Sequence, residues 1–432
     1  MMMTHTPVRP WSPRGRLLSA LLLALVVGAC SDAPTASSPR LSPALTQSEA
    51  TNALANYVAI GTSVSMGIQS TGVNAASQRE SWAAQLATRA GTPLELPLIG
   101  GFGCKAPFAA PLASGVRTSG EPVTLPDSLL NCDPLLPAID LPTRNVAIDG
   151  ATTIEALYTT PETARGVFRK KLFSRVLPSG TTMLQAALQR RPTVVSVELG
   201  ANEVLGATRG AVQLDTTVMR PSTWIPLYDA LVDAVQANVP RAVLVGLIRN
   251  AATFPSFRYG SEIWADAPTL LAAFHVNVLP DCNASPNLIF VPVRIPTAVA
   301  TGAAYRKAGL PPFNFSCADL GHGVVDYVLS PAEAATVNSI LNTMTAHIRS
   351  SADRRGFAFF ALDELYGLPN LKPPYSTLAL MTTPQPYGPY FSLDGVHPNA
   401  AGHAILATAA ARALNQRYRM KIPDATPFIA AR

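Results

Sequence analysis

Two short stretches carry most of the chemistry that this 432-residue sequence offers. One is Asp394-Gly395-Val396-His397-Pro398, a carboxylate three residues before a histidine in a loop stiffened by glycine and proline. That spacing lets the carboxylate accept the imidazole Nδ1–H, which fixes the tautomer and leaves Nε2 as a base. The other is Tyr57 to Gly67, an apolar run that breaks at Gly61-Thr62-Ser63. A buried strand ending in so tight a turn presents its serine hydroxyl. The backbone N–H groups of the turn converge where an oxyanion would form. Base, orienting acid and hydroxyl are the parts of nucleophilic acyl transfer. Ser65 is a rival hydroxyl on the same turn.

Groups so far apart in the chain need strands that end together. Besides Tyr57 to Ile60, apolar runs at Leu94 to Ile99, Thr193 to Leu199, Ala242 to Ile248 and Phe357 to Leu362 read as strands. Between them, helical spacing or caps mark Ser81 to Ala90, Thr181 to Arg190 and the face Trp224, Tyr228, Leu231, Val235. Ser330-Pro331-Ala332-Glu333 is a capping box opening another helix, and Ala400 to Leu414 is the last. Apolar strands alternating with amphipathic helices predict an α/β fold, a mostly parallel sheet covered on both faces. Sites in such sheets lie at the C-terminal strand ends. Ser63, Gly150 and Asn202 directly follow predicted strands, and His397 lies in a loop, so the four can converge. Two stretches, about 100–143 and 250–329, are rich in proline and small residues and lack a clear period. They read as irregular insertions, the first a wall of a substrate cleft.

The N-terminus has an address. Arg9, Arg14 and Arg16 precede the apolar run Leu17 to Val27 and then Gly28-Ala29-Cys30, the pattern of a secretory signal over residues 1–29. Its removal takes three arginines and no acid, so the net charge falls from +6 to +3. That is too mild and scattered for a nucleic-acid surface. Four further cysteines, Cys104, Cys132, Cys282 and Cys317, suit two disulfides in an exported protein, with three pairings open. Cys104–Cys132 and Cys282–Cys317 are favoured, since each pair brackets one irregular stretch. No CxxC spacing or histidine pair supports a metal site.

Two resemblances follow from these residues. Val27-Gly28-Ala29-Cys30 resembles a bacterial lipobox, which implies lipidation at Cys30. Ser31 then implies an outer-membrane address, and residues 30–50 a flexible tether to the lipid anchor. The larger resemblance is to the SGNH (GDSL-type) hydrolases, whose four blocks appear in order across a domain at residues 51–420, with a tail at 421–432. Gly61-Thr62-Ser63 looks like the nucleophile block, and Asn145 to Thr153 like the block bearing the oxyanion glycine, here Gly150. Gly200-Ala201-Asn202-Glu203 resembles the Gly-X-Asn-Asp block, with Asn202 as an oxyanion donor. Asp394 to Pro398 matches the acid–base block. Thr62 and Glu203 depart from the usual aspartates. Gly100 and Gly101 compete for the oxyanion role, and Ser65 breaks the Gly-X-Ser-X-Gly elbow of α/β-hydrolases.

The resemblance implies a three-layer α/β/α fold with a flavodoxin-like sheet. It also implies a monomeric serine esterase needing no metal or cofactor, with Ser63, His397 and Asp394 as triad and Ser63, Gly150 and Asn202 as oxyanion hole. Its substrate would be an acyl ester, a lipid or an acetylated glycan. An inactive envelope lipoprotein serving as a scaffold is the contrary expectation. His275 and His322, without a carboxylate in register, read as structural, and His403 as near the site but outside it.

Overall fold

The strands at the centre are too apolar to face water on either side. In β1 (Tyr57–Ile60), β2 (Val194–Val197) and β3 (Ala242–Gly246) every residue is buried, and in β4 (Ala358–Ala361) alternate residues are. The computed structural model describes residues 54–321 and 323–423. Cys30, the signal, the tether and His322 therefore lie outside the described residues.

The sheet runs β1-β2-β3-β4, all parallel, with Tyr57 opposite Val194, Val197 opposite Leu244 and Val243 opposite Ala358. On the free side of β1 the chain at residues 144–148 adds a further parallel rung. Ala59 N–H donates to the Arg144 carbonyl (2.8 Å), and the Val146 and Ile148 N–H groups donate to Ala59 and Gly61 (2.9 and 3.1 Å). Counting that segment, the spatial order is 2-1-3-4-5, the flavodoxin-like arrangement.

Two groups of helices cover the sheet. Trp82–Arg89 packs against Ala400–Tyr418, which lies along β4. Pro221–Asn238 packs against Pro331–Arg355, which lies along β3. Two of their starts, at Ser81 and Ser330, are those expected from the sequence. Ser330 and Glu333 close a capping box, and Ser81 accepts from Ala84 N–H. Trp82 and Trp224 are fully buried between layers. Among the described residues no helix is long and apolar enough to cross a membrane.

Three local expectations are corrected. Leu94 to Ile99 forms no strand: Pro93 and Pro97 remove two backbone donors, and only Ile99 makes a bridge, to Leu135. A helix at Ala75–Glu80, capped by Asn74, is present where none was expected. Residues 250–329 are not irregular. They hold helices Gly260–Ala265, Ala267–Phe274 and Val291–Lys307 and two small sheets of two- and three-residue strands. Strands that short have no period to read, and Pro296 inside the long helix masks its pattern. The disulfides are Cys104–Cys132 and Cys282–Cys317, the favoured pairing.

Candidate active site

β1 ends at Ile60, and the chain turns through Gly61 and Thr62 into a single helical turn, Ser63–Met66. Gly61 is there for want of room. A Cβ on it would sit 2.5 Å from Ser65 Oγ and 3.0 Å from Glu198 Oε2. Glu198, the residue after β2, is wholly buried beneath this turn. Its carboxylate accepts from Thr62 N–H (2.9 Å), Thr62 Oγ1–H (2.8 Å), Ser65 N–H (3.2 Å) and Ser65 Oγ–H (3.0 Å). Burial pushes the Glu198 carboxyl up from its ordinary range, and these four donors pull the other way. Trp82 Nε1–H donates to Ser65 Oγ at 3.1 Å, which directs the Ser65 proton at Glu198. Ser65 is thus bound into the core and is no rival to Ser63. The sequence reading missed Glu198; its signal was an acid in the run Val194-Val195-Ser196-Val197-Glu198-Leu199, otherwise fit for the core.

The acid–base loop is fastened to the segment just beyond the serine turn. Ser70 N–H donates to Ser392 Oγ (2.7 Å), and Leu393 N–H donates to Ser70 Oγ (3.1 Å). Asp394 Oδ2 accepts from Thr71 N–H (2.7 Å) and pairs with His397 Nδ1 (2.8 Å). Its Oδ1 accepts from the Val396 and His397 N–H groups, both at 2.9 Å. Burial would raise the Asp394 pKa, but the His397 charge and these bonds outweigh it and hold it at about 2. Burial likewise opposes the His397 imidazolium, yet the Asp394 charge prevails and the pKa is raised above 6.5. Gly395, at φ +64°, lies over the Tyr387 ring, where a Cβ would come within 2.7 Å.

The segments around Gly150 and Asn202 are tied together by similar bonds. Asn202 Nδ2 donates to the Ala151 carbonyl at 2.8 Å, next to Gly150, which leaves its second amide hydrogen uncommitted. Glu203 is buried, and its Oε1 accepts from Thr153 N–H at 2.6 Å. Thr153 Oγ1 in turn takes the Trp224 indole N–H at 2.8 Å. Burial pushes the Glu203 carboxyl up. Gly101 packs on Asp133 instead, with the Phe102 N–H bonded to that carboxylate, so Gly150 is the glycine beside Asn202.

One cavity is lined by Ser63, Asn202 and His397 together. Thr62, Thr208 and Tyr366 are its other polar residues. The rest of the wall is apolar, including Leu205, Ile248, Phe254, Leu329, Val337 and Leu341. No residue of 100–143 lines it, so the expected cleft wall is corrected: that stretch meets the segment 70–73 instead, where Cys104 bridges Val73 and Arg117 bonds Thr71. The wall comes instead from the helix Asn202–Leu205, the helix opened by Ser330 and the segments that follow β3 and β4. Ser63 Oγ and His397 Nε2 are not hydrogen-bonded to each other, as is common before substrate binds. Among the described residues, no group of His, Cys, Asp and Glu could hold a metal ion. His275 Nε2 meets the Leu310 carbonyl at 2.9 Å, a structural contact.

His403, on the last helix, is wholly buried with both ring nitrogens unpartnered. Burial, then the nearby His397 charge, holds its pKa down to about 3. The unfolded chain takes a proton near pH 6.5 and the folded chain does not. Its contribution is therefore complete above pH 6.5 and is lost as pH falls below it, by up to about 1.4 kcal/mol per pH unit. In urea titrations between pH 7 and 4.5, His403→Leu should remove one proton's worth of acid destabilisation. Equal slopes for variant and wild type would refute this reading of His403.

Comparison with known proteins gives the family of the chain. The GDSL-like Lipase/Acylhydrolase family matches residues 57–410. No curated protein matches the sequence. Among solved structures, the chain is similar to Axe2, an acetylxylan esterase from Geobacillus stearothermophilus. Identity is 10% and the TM-score 0.33, over 83% of this chain and 93% of that one. It is also similar to LAE5, an alpha/beta hydrolase from the metagenome of Lake Arreo, at 13%, 0.33, 83% and 93% in the same order. A putative GDSL-like lipase from Parabacteroides merdae gives 12%, 0.32, 84% and 95%. Similarities of this size carry no argument about substrate. The family match spans both ends of the sheet and every loop around the cavity, and on it the chain belongs to the GDSL-like lipase/acylhydrolase family, hydrolases of ester bonds.

Proposed function

We propose that the protein hydrolyses acyl esters through Ser63, His397 and Asp394. His397, its tautomer set by Asp394, takes the Ser63 proton as the hydroxyl attacks the ester carbonyl. The Ser63 and Gly150 N–H groups and the Asn202 amide hold the oxyanion, the alcohol leaves with the proton, and water releases the acyl group by the same route. Support comes from the Asp394–His397 bond and from the cavity that Ser63, Asn202 and His397 share.

The observation that carries the choice of substrate is the wall of that cavity. An acyl chain buried against Leu205, Phe254, Val337 and Leu341 gains about 0.8 kcal/mol per methylene. A sugar ring there would leave hydroxyls without partners. The reading is therefore an esterase or lipase for acyl chains beyond acetyl, tethered to the cell envelope through Cys30 at the outer membrane, rather than a carbohydrate O-acetylesterase.

A fluorophosphonate should label Ser63 and fail on Ser63→Ala. A folded wild type that takes no label would favour a scaffold without activity. Asn202→Ala should lower kcat by about 100- to 1,000-fold in ester hydrolysis, the usual worth of one oxyanion donor; an unchanged kcat would remove Asn202 from the hole. Across p-nitrophenyl esters from acetate to decanoate, kcat/KM should climb severalfold over the first added methylenes, and Val337→Trp should shorten the preferred chain. A profile that peaks at acetate, with faster release of acetate from acetylated glycans, would overturn the acyl-chain reading.

A further inference from the structure

Thr62 cannot serve as an acid, yet the serine turn does have a carboxylate, and it arrives from another strand. Both Glu198 oxygens lie within 2.8–3.0 Å of Thr62 Oγ1. We propose that Glu198 is the positioning residue of the nucleophile, acting through the turn and not on the substrate. This rests on Ser63 being the nucleophile.

The argument is one of donor allocation. The turn has four backbone N–H groups in a row, at Thr62, Ser63, Val64 and Ser65. Glu198 engages those of Thr62 and Ser65 from below. It also takes the hydroxyl protons of Thr62 and Ser65, the two side chains that could otherwise bond Ser63. The Ser63 N–H and hydroxyl are thereby left to the cavity. Trp82 closes the far side of Ser65 and Gly61 leaves no slack, so the carboxylate has one place to sit. Loss of its charge weakens four bonds at once in a site sealed from water, and the nucleophile drifts.

Because residue 62 touches both oxygens of Glu198, a carboxylate moved to position 62 would lie directly against the side chain at 198. The side-chain amide that E198Q introduces could then donate to it and still accept from Ser65. This makes a reciprocal test with E198Q, T62D and the double variant T62D/E198Q, each assayed on one p-nitrophenyl ester and for the rate of fluorophosphonate labelling. E198Q should lower kcat and the labelling rate by about 10- to 100-fold, the cost of a misplacement near 1 Å, with KM within about twofold. T62D alone should also lose activity, since two carboxylates would face each other. The double variant should exceed either single variant by about tenfold or more in kcat. A merely structural role would move thermal stability without this kcat-specific rescue.

Wild-type kcat in E198Q, or a folded double variant no better than the singles, would overturn the proposal. If E198Q does not fold, the double variant decides: near-wild-type kcat supports it, and an unfolded or inactive chain counts against it. Failure of wild-type Ser63 to label would remove the nucleophile itself, a result separable from labelled variants that ignore residue 198.

Discussion

A carboxylate beyond the reach of water is costly unless donors surround it, and the catalytic edge of this sheet is arranged around one that is. Glu198 sits between β1 and the serine turn with four donors on its two oxygens. Each neighbour is shaped by that demand. Gly61 can have no side chain, Ser65 must point inward, and Trp82 must present its indole N–H. Removing the Ser65 hydroxyl would leave the Trp82 indole N–H without a partner and take one donor from Glu198, so these groups are coupled.

The same device recurs at the two other joints of the site. Ser70 and Thr71, some 320 residues before the acid–base loop, bind Ser392, Leu393 and Asp394 through side chain and backbone. Glu203 and Asn202 bind Thr153 and Ala151, which joins the two oxyanion blocks. At both joints a side-chain oxygen from one loop accepts a backbone N–H of another, and Asn202 adds a side-chain N–H on a backbone carbonyl. Loops at the end of a parallel sheet have no ladder to hold them, and these bonds stand in for it.

Around this polar rim the molecule is dry. Part of the cavity wall, Val337 and Leu341, belongs to the helix that packs on β3 and β4, so the pocket adjoins the core. An apolar wall strengthens every electrostatic contact beside it. In the Asp394–His397 pair, mutual charge and the hydrogen bond between them shift both partners toward their charged forms despite burial.

Much of the fold was legible in order along the chain. Residues in β1 to β4, the caps at Ser81 and Ser330 and the Asp394–His397 spacing are local patterns, set by apolar runs and by the reach of a side chain over three residues. The disulfide pairing followed from each pair bracketing one proline-rich stretch without a readable period. What the sequence hid was non-local. Residues 250–329 fold through strands of two or three residues that exist only when paired. The cavity wall, the clasp between Ser70 and Ser392, and the exclusion of Ser65 by Glu198 depend on partners more than 130 positions apart. The order of the residues marked which groups are candidates for acyl chemistry. Tertiary structure decided which serine faces the cavity, because only folding places a buried carboxylate under one hydroxyl and leaves the other free.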